Sequence, residues 1–265
     1  MSLPGLHKVL KYVVDLCRDV GDYIYNKKAA KRKIISYKGE IDLVTQFDRK
    51  SQTLIIQSLK KRFPTFGILS EENVSHNTGS SKKWIIDPLD GTTNFAHNLP
   101  IWAISIALEV NGDIVLGVVY DPTRREMFSA IEKCGAFLNK KRIRVSKIRK
   151  LSQSLLITGF PYDIRQSKDN NLNHFNNFAV RAQAVRRLGS AALDLCYTAC
   201  GRFDGYWELK LSPWDQAAGS LILKEAGGKI TDFKGKKFNI YGDEVLGTNG
   251  LIHHQMMQIL KLGSL

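Results

Sequence analysis

The stretch WIIDPLDGTTNF, residues 84–95, decides how the rest of the chain is read. Trp84–Asp87 is a short apolar strand, and Pro88, which has no N–H for a neighbouring strand, stops it. Asp90 follows, and Gly91, Thr92 and Thr93 lead into a helix start. An acid at a strand end and a second acid one turn later can converge on one hard cation, with the Gly91 and Thr92 amides facing a phosphate oxygen. The competing reading is an Asx-type turn with a capping aspartate.

Two further acidic places lie on either side of this stretch. Glu71-Glu72 closes the apolar run FGILSEEN, where a pair of acids is either solvated or functional. In LSPWDQAAGSLILKEAGG, residues 211–228, Ser212 stands as an N-cap, Pro213 at the first helical position and Asp215 at the third. That spacing is a capping box in its own right, and it also holds an acid rigidly enough to bind a metal. Clustered carboxylates repel one another and cost stability unless a cation holds them.

The surrounding pattern frames these motifs. Leu6, Val9, Leu10, Val13, Cys17, Val20 and Ile24 form one apolar stripe on a long helix. Thr45 and Asp48 have capping-box spacing for a second helix, which Pro64 closes. Ile104, Ile106 and Leu108 alternate with Ser105, Ala107 and Glu109, and Asn111-Gly112 turns the chain into Ile114–Tyr120. Met127–Ile131 and Phe137–Val145 continue the sheet. From residue 155 the rhythm changes: strands Leu155–Thr158, Ala184–Leu188, Tyr206–Leu209 and Val245–Thr248 alternate with helices. These helices lie around Asn171–Arg181, after Ser190, from Pro213 to Gly227-Gly228, and finally up to Lys261. The pattern is helices on a largely antiparallel sheet followed by an α/β layer, with a seam near Lys147–Ser152. It gives an N-terminal part, 1–148, with most of the candidate ligands, and a C-terminal part, 149–265, with Asp215, together one catalytic unit.

Composition excludes several classes. The chain has 265 residues, 43% hydrophobic and 24% charged, as in an ordinary globular protein. Its longest apolar stretch, near Ile101–Val110, falls short of the roughly 20 residues a membrane span needs. The N-terminus lacks the apolar core of a secretory signal. Four cysteines make no disulfide framework, Cys196 and Cys200 read as buried helix positions, and a reducing cytoplasm fits. Lys plus Arg at 39 against Asp plus Glu at 25 gives a net charge of +14. That excess either draws anions or is a solvated lysine-rich surface. The clusters at Lys27–Lys33, Lys60–Arg62, Lys140–Lys150 and Lys234–Lys237 carry no interleaved aromatics of the kind that stack bases. His97 reads as a packed histidine, His253-His254 as a solvated helix position, and Trp84 and Trp214 as packing around the acids.

With these motifs in place, the chain resembles the inositol monophosphatase family of lithium-sensitive, magnesium-dependent phosphatases, and is most similar to its bacterial members. SEEN, IDPLDGTTNF and PWDQAAGSLILKEAGG carry the resemblance, with GEIDLVTQFD and RRLGSAALDLCYTACGRFDGYWE between them, in the family's order over essentially the whole chain. The resemblance implies a layered α+β/α/β fold, the αβαβα sandwich of the sugar phosphatase type, usually a homodimer. It also implies hydrolysis of a phosphate monoester with two or three Mg²⁺. Glu71 and Asp87, with the main-chain carbonyl of Leu89, would hold one ion. Asp87, Asp90 and Asp215 would hold a second, and Glu71 would help a third. Thr92 and Glu71 would orient the attacking water, and Asp48 would hydrogen-bond Thr92. Gly91 and Thr92 would bind phosphate, while Ala191, Glu208 and the acids Glu71, Asp90 and Asp215 would border the substrate. Ser212 stands where some relatives have a histidine beside the substrate.

The chemistry agrees with that implication. Mg²⁺ takes oxygen ligands, and four carboxylates carrying about −4 are brought to zero or positive charge by two or three such ions. No nucleophile motif of a Cys- or Ser-dependent phosphatase is present, so direct attack by water is expected. The expected substrate is myo-inositol monophosphate. Fructose 1,6-bisphosphate, 3′-phosphoadenosine nucleotides and histidinol phosphate are alternatives. A reading of another class is an RNA-associated transcription antitermination factor with phosphatase activity second.

Overall fold

The computed structural model describes residues 3–30, 35–37, 43–72, 74–76 and 79–262. Residues 39–42 of GEIDLVTQFD, Asn73 of SEEN and part of the Lys27–Lys33 cluster lie outside them. The predicted apolar stripe forms helix α1 (Leu3–Ala30), which buries Leu6, Val9, Val13, Cys17, Val20 and Ile24. Strands β1 (Ile35–Tyr37) and β2 (Leu43–Thr45) pair antiparallel and lead into α2 (Gln46–Arg62). Thr45 caps α2 and Asp48 at the third position reaches back to the cap, as the spacing predicts. Phe63 ends the helix immediately before Pro64.

Next come β3 (Gly67–Ser70), β4 (Val74–His76), β5 (Lys82–Asp90), the short helix α3 (Thr92–Ala96) and β6 (Ala103–Val110). They are followed by β7 (Asp113–Asp121), β8 (Glu126–Ile131), β9 (Gly135–Leu138) and β10 (Lys141–Arg142). Among the described residues, eight strands form one sheet in the order β10-β9-β8-β7-β6-β5-β3-β4, antiparallel except for the β3–β5 pair. The Asn111-Gly112 turn is where the sequence puts it, with φ of 54° and 86°. The expected single strand Phe137–Val145 is instead a hairpin, because Asn139 and Lys140 both take positive φ, 47° and 68°. Asn139 is the residue type that tolerates this conformation.

Both faces of the sheet are covered, so the alternation in β6 separates two buried environments rather than core from water. Ile104, Ile106 and Leu108 pack with α1 and α2. Ala103 and Ala107 face the other way, into a second cluster built on helices of the C-terminal half.

That half contains β11 (Leu155–Thr158), α4 (Leu172–Ala179), β12 (Ala184–Arg186), α5 (Ala191–Ala199) and β13 (Gly205–Leu209). It continues with α6 (Pro213–Glu225), β14 (Lys229–Thr231), β15 (Glu244–Thr248) and α7 (His253–Leu260). A second sheet runs β12-β11-β13-β15-β14, parallel among β12, β11 and β13 and antiparallel at β15 and β14. β14 is a three-residue edge strand with no periodic signal of its own. Helices α5 and α6 lie between the two sheets, while Phe178 of α4 and Met256 and Leu260 of α7 cover the far face with Trp207 and Leu246. The order is helix, sheet, helix, sheet, helix, the αβαβα sandwich. Small residues bring α6 onto the first sheet: a Cβ at Gly117 would stand 2.8 Å from the carbonyl oxygen of Ala218. Tyr241, in the connection between β14 and β15, reaches back to the first sheet. Its hydroxyl accepts from Lys83 Nζ (2.6 Å) and donates to Glu109 Oε2 (2.5 Å).

His253 differs from its expected solvated position. It is 2% exposed, bridges Thr231 and Thr248 through its two ring nitrogens, each at 2.9 Å, and is held down to a pKa of about 4 by burial and by Lys229. His97, expected to be packed, is exposed at the end of α3.

Candidate functional site

The site begins with strand register. β3 and β5 are parallel with Ser70 opposite Ile86, so Glu71, just past the carboxyl end of β3, comes beside Asp87, where the β3–β5 pairing ends. Crevices beyond such ends are where open α/β sheets bind ligands. Asp87 and Asp90 are three apart and in a regular strand would face opposite sides. Here β5 continues through Pro88 rather than stopping there, with a register shift: Asp87 pairs with Ser105, and Asp90 with Ala103. The one extra residue on β5 is a bulge, which accommodates proline and brings both acids to one face. That face looks toward α5 and α6.

Each acid is held by partners that the fold supplies. Asp87 Oδ1 accepts from the Leu89 amide at 2.9 Å. Asp90 Oδ2 accepts from Ser190 Oγ at 2.5 Å and the Ala192 amide at 2.8 Å, and the Ala191 amide also faces this carboxylate. The first turn of α5 therefore holds an acid 100 residues earlier in the chain. Asp215 Oδ2 accepts from the Ser212 amide at 2.7 Å in the predicted capping box. Asp87 Oδ2 and Asp215 Oδ1 have no protein hydrogen bond among the described residues.

Thr92 sits at the start of α3, behind Gly91. Gly91 has φ of +93°, and a Cβ there would stand 2.9 Å from the Ile101 carbonyl, so glycine is required. The Thr92 hydroxyl lies 2.8 Å from Asp48 Oδ1 and 3.0 Å from the Leu89 carbonyl. With one proton it serves one of these acceptors at a time. Asp48 Oδ2 is filled by the Thr45 amide (2.8 Å) and hydroxyl (2.5 Å). The same face of α2 braces its neighbours: Ser51 Oγ donates to the Pro88 carbonyl in the bulge at 2.7 Å, and Gln52 Nε2 donates to the Glu72 carbonyl at 3.3 Å.

Electrostatics tie the acids together. Burial, then the charges of Glu71, Asp90 and Asp215, push the Asp87 carboxyl well above the ordinary carboxylate value. Burial, then Asp90 and Glu71, do the same to Asp215. Burial raises Asp90 to about 6 against the pull of Ser190, Ala192 and Ala191. Burial raises Asp48 too, opposed by its hydrogen bonds from Thr45 and Thr92. Glu208 is raised to about 7 by burial, opposed by the Tyr206 hydroxyl, which donates to Oε2 at 2.7 Å, and by Arg187, with Asp90 adding to the rise.

The four acids thus feel one another across one buried space. Among the described residues they do not close into a compact cage, and no three His, Cys, Asp or Glu side chains group tightly enough to hold a metal ion as they stand. Like charges drawn together by a fold keep such a distance unless a cation lies between them. The donors are all hard oxygens, and two of the acids have an unfilled oxygen. That set suits Mg²⁺ and gives a thiol- or imidazole-seeking metal nothing to bind.

A family model described as the inositol monophosphatase family matches residues 5–262. The chain belongs to the inositol monophosphatase family. Members of this family are generally metal-dependent. An inositol-1-monophosphatase of Synechocystis sp. is 45% identical over 222 residues, covering 83% of this chain and 77% of that protein. A protein of Salmonella typhimurium named Nus factor SuhB is 42% identical over 232 residues, covering 87% of each. The solved inositol monophosphatase of Anabaena (Nostoc) sp. superposes with a TM-score of 0.88 at 39% identity, covering 97% of this chain and 96% of that one.

Several residues that build this candidate site were not singled out as functional in the sequence. Ser190 read only as a helix start, though it also holds Asp90. Asn94 Nδ2 donates to the carbonyls of Ile101 (3.0 Å) and Leu188 (2.7 Å), stitching α3 to the loop before α5. Asp194, 1% exposed, carries an Oδ1 with no hydrogen bond among the described residues, and burial with Glu208 and Asp90 pushes it well above the ordinary value. An acid inside the apolar run AALDLC was the available signal.

Proposed function

We propose that the chain is a magnesium-dependent phosphomonoesterase that hydrolyses myo-inositol monophosphate to myo-inositol and phosphate by direct attack of water. The observation that carries this reading is one buried, oxygen-only setting in which burial and the charges of Glu71 and Asp90 raise both Asp87 and Asp215, and burial raises Asp90. Glu71, Asp87, the Leu89 carbonyl, Asp90 and Asp215 are the groups that would hold two or three Mg²⁺. A divalent cation held there neutralises the phosphate and makes water a stronger nucleophile.

The chain's own groups do the rest. Thr92 donates its proton to Asp48, which leaves a lone pair to accept from the attacking water, and Glu71 aims that water from the other side. Burial of Asp48 keeps this relay in place. The Gly91 and Thr92 amides receive phosphate oxygens at the turn that glycine makes possible. Asp90, Ala191, Glu208 and Asp215 border the polyol, and Glu208 is already oriented by Tyr206. Water adds to phosphorus and the ester oxygen leaves as the inositol hydroxyl, with no covalent phosphoenzyme.

Both parts of the chain, 1–148 and 149–265, contribute to one catalytic unit, because Asp215 and the α5 turn come from the second. The reading includes a homodimer, lithium sensitivity and a cytoplasmic setting. The four free cysteines support the last of these, and among the described residues no helix is long and apolar enough to cross a membrane.

The test is steady-state hydrolysis of myo-inositol 1-phosphate beside fructose 1,6-bisphosphate, with magnesium and with a chelator, then with added lithium. Magnesium-dependent release of phosphate, faster from the inositol ester, is expected. No magnesium-dependent release from either ester overturns the reading, and preference for the bisphosphate moves the substrate.

The relatives named Nus factor SuhB, at 42% identity, favour a second role for this chain beside the transcription machinery. Binding to transcription factors or RNA that persists in Asp90→Asn supports it. Binding that vanishes at moderate salt without sequence preference leaves only a basic surface.

A further inference from the structure

Gly159 immediately follows β11, Glu208 lies in β13, and the two strands run parallel with Thr158 opposite Trp207. One step further along, Gly159 comes beside Glu208. Neighbours in register share a face of the sheet, and so do alternate residues of one strand. On this face Ile157, Tyr206 and Val245 pack with α5 and α6, while Trp207, Leu156 and Leu246 pack on the opposite one. Glu208 therefore points into the layer that carries Asp90 and Asp215. Across β13 its neighbour is the apolar Val245, which leaves Gly159 on the other side.

A Cβ on Gly159 would overlap the carboxyl group of Glu208. Its three nearest atoms are Oε1, Cδ and Oε2 of that one side chain, the farthest of them at 2.6 Å. The place where any other residue would keep its side chain is filled by a carboxylate. Backbone conformation does not explain the glycine, because Gly159 is not among the residues with positive φ. Close main-chain packing, as at Gly117, does not explain it either, because no backbone atom is among those three.

Gly159 is also prevented from withdrawing. Asn171, 3% exposed, donates from Nδ2 to the Gly159 carbonyl (2.6 Å) and to Thr158 Oγ1 (2.9 Å), and its Oδ1 accepts from Trp207 Nε1 (2.8 Å). Thr158 Oγ1 donates in turn to the Trp207 carbonyl at 2.5 Å. These bonds tie the end of β11 to β13 and fix the spacing between Gly159 and Glu208. The Tyr206 hydroxyl holds Oε2 at 2.7 Å. Backbone on one flank and a phenol on the other thus seat the carboxyl group.

On the reading that the acidic site hydrolyses a phosphorylated polyol bordered by Glu208, we propose that Gly159 is a positioning residue that sets selectivity for alcohols bearing further hydroxyls, its missing side chain being the seat of the Glu208 carboxylate. Seated there, Glu208 meets a hydroxyl of the polyol. With a methyl group in the seat, the flexible glutamate is the part that yields, and its carboxylate leaves that position. An ester whose alcohol carries no other hydroxyl makes no use of the seat.

The test is steady-state hydrolysis of myo-inositol 1-phosphate and of phenyl phosphate, with magnesium, by the full chain and by Gly159→Ala, Glu208→Ala and the double variant. Gly159→Ala should lower kcat/KM for the inositol ester by about 10-fold or more, chiefly through KM, because a hydrogen bond to a carboxylate is lost. For phenyl phosphate kcat/KM should stay within about 3-fold, with the magnesium requirement unchanged. In the Glu208→Ala chain the seat is empty, so adding Gly159→Ala should change the inositol ester no further. Should Gly159→Ala alone fail to fold, folding restored by Glu208→Ala supports the proposal, and folding not restored overturns it. Equal losses on both esters, additive losses in the double variant, or unaltered inositol kinetics in Gly159→Ala overturn the proposal alone. A wild-type chain that hydrolyses neither ester overturns the underlying reading and the proposal with it.

Discussion

Two helices of this protein begin with the same local device and put it to different uses. In α2, Thr45 is the cap and Asp48 the third residue; in α6, Ser212 is the cap and Asp215 the third residue. Asp48 has both oxygens filled, Oδ2 by the Thr45 amide and hydroxyl and Oδ1 by Thr92. Asp215 gives Oδ2 to the Ser212 amide and leaves Oδ1 without a protein hydrogen bond among the described residues. Asp48 lies among hydroxyl and amide donors, whereas Asp215 faces Asp90 and Glu71. A capping box therefore sets where an acid stands, and the neighbours brought in by tertiary structure set what the acid does. One holds a threonine and the other is available to a cation.

The strongest way to break this contrast is Asp215→Asn. The amide can still accept from Ser212, so α6 should remain intact, while the charge offered to a cation is gone. Turnover of myo-inositol 1-phosphate should fall at least about 10²-fold, and the magnesium concentration for half-maximal rate should rise. Near-normal turnover at saturating magnesium would remove Asp215 from the cation site; Asp90→Asn should behave alike.

Asp48→Ala is the intermediate case. It should lower kcat by about 10- to 100-fold with little change in magnesium requirement, because only the Thr92 partner is lost. Loss of the cap should also cost about 1 kcal/mol of stability, seen in chemical denaturation. A magnesium requirement shifted as far as in Asp215→Asn would erase the distinction between the two acids.

The smallest expected effect is a linkage between pH and magnesium. Asp90 titrates near 6 in the folded chain against an ordinary 3.8, so the folded state binds more protons between these values. Metal-free stability therefore falls as pH rises from 3.8 through about 6, and Asp87 and Asp215 act in the same direction. Magnesium should relieve that penalty, so the rise in Tm on adding it should be greater at about pH 7.5 than at about pH 5. An equal rise at both pH values would show that the acids do not share the cation.

Much of this was readable in the chain because local rules and global fold agree. The α1 stripe, both capping boxes, the Asn111-Gly112 turn and the change of rhythm after residue 150 all match the observed elements. What was hidden depended on residues far apart in sequence. Pro88 reads as a strand stop, and only pairing with β6 shows it inside a bulge that aligns Asp87 with Asp90. The Ser190–Asp90 and Asn94–Leu188 bonds join segments separated by about a third of the chain, which no short-range pattern encodes. His253 looks like a surface residue until β14, too short to show a period, is seen to lie against it.

The layer of α5 and α6 belongs to both sheets at once, and at Gly117 the helix touches the sheet backbone with no side chain between. Packing of this closeness couples the position of α6 to the backbone of the first sheet. A side chain inserted at Gly117 would therefore be felt less than one turn away along α6, where Asp215 stands.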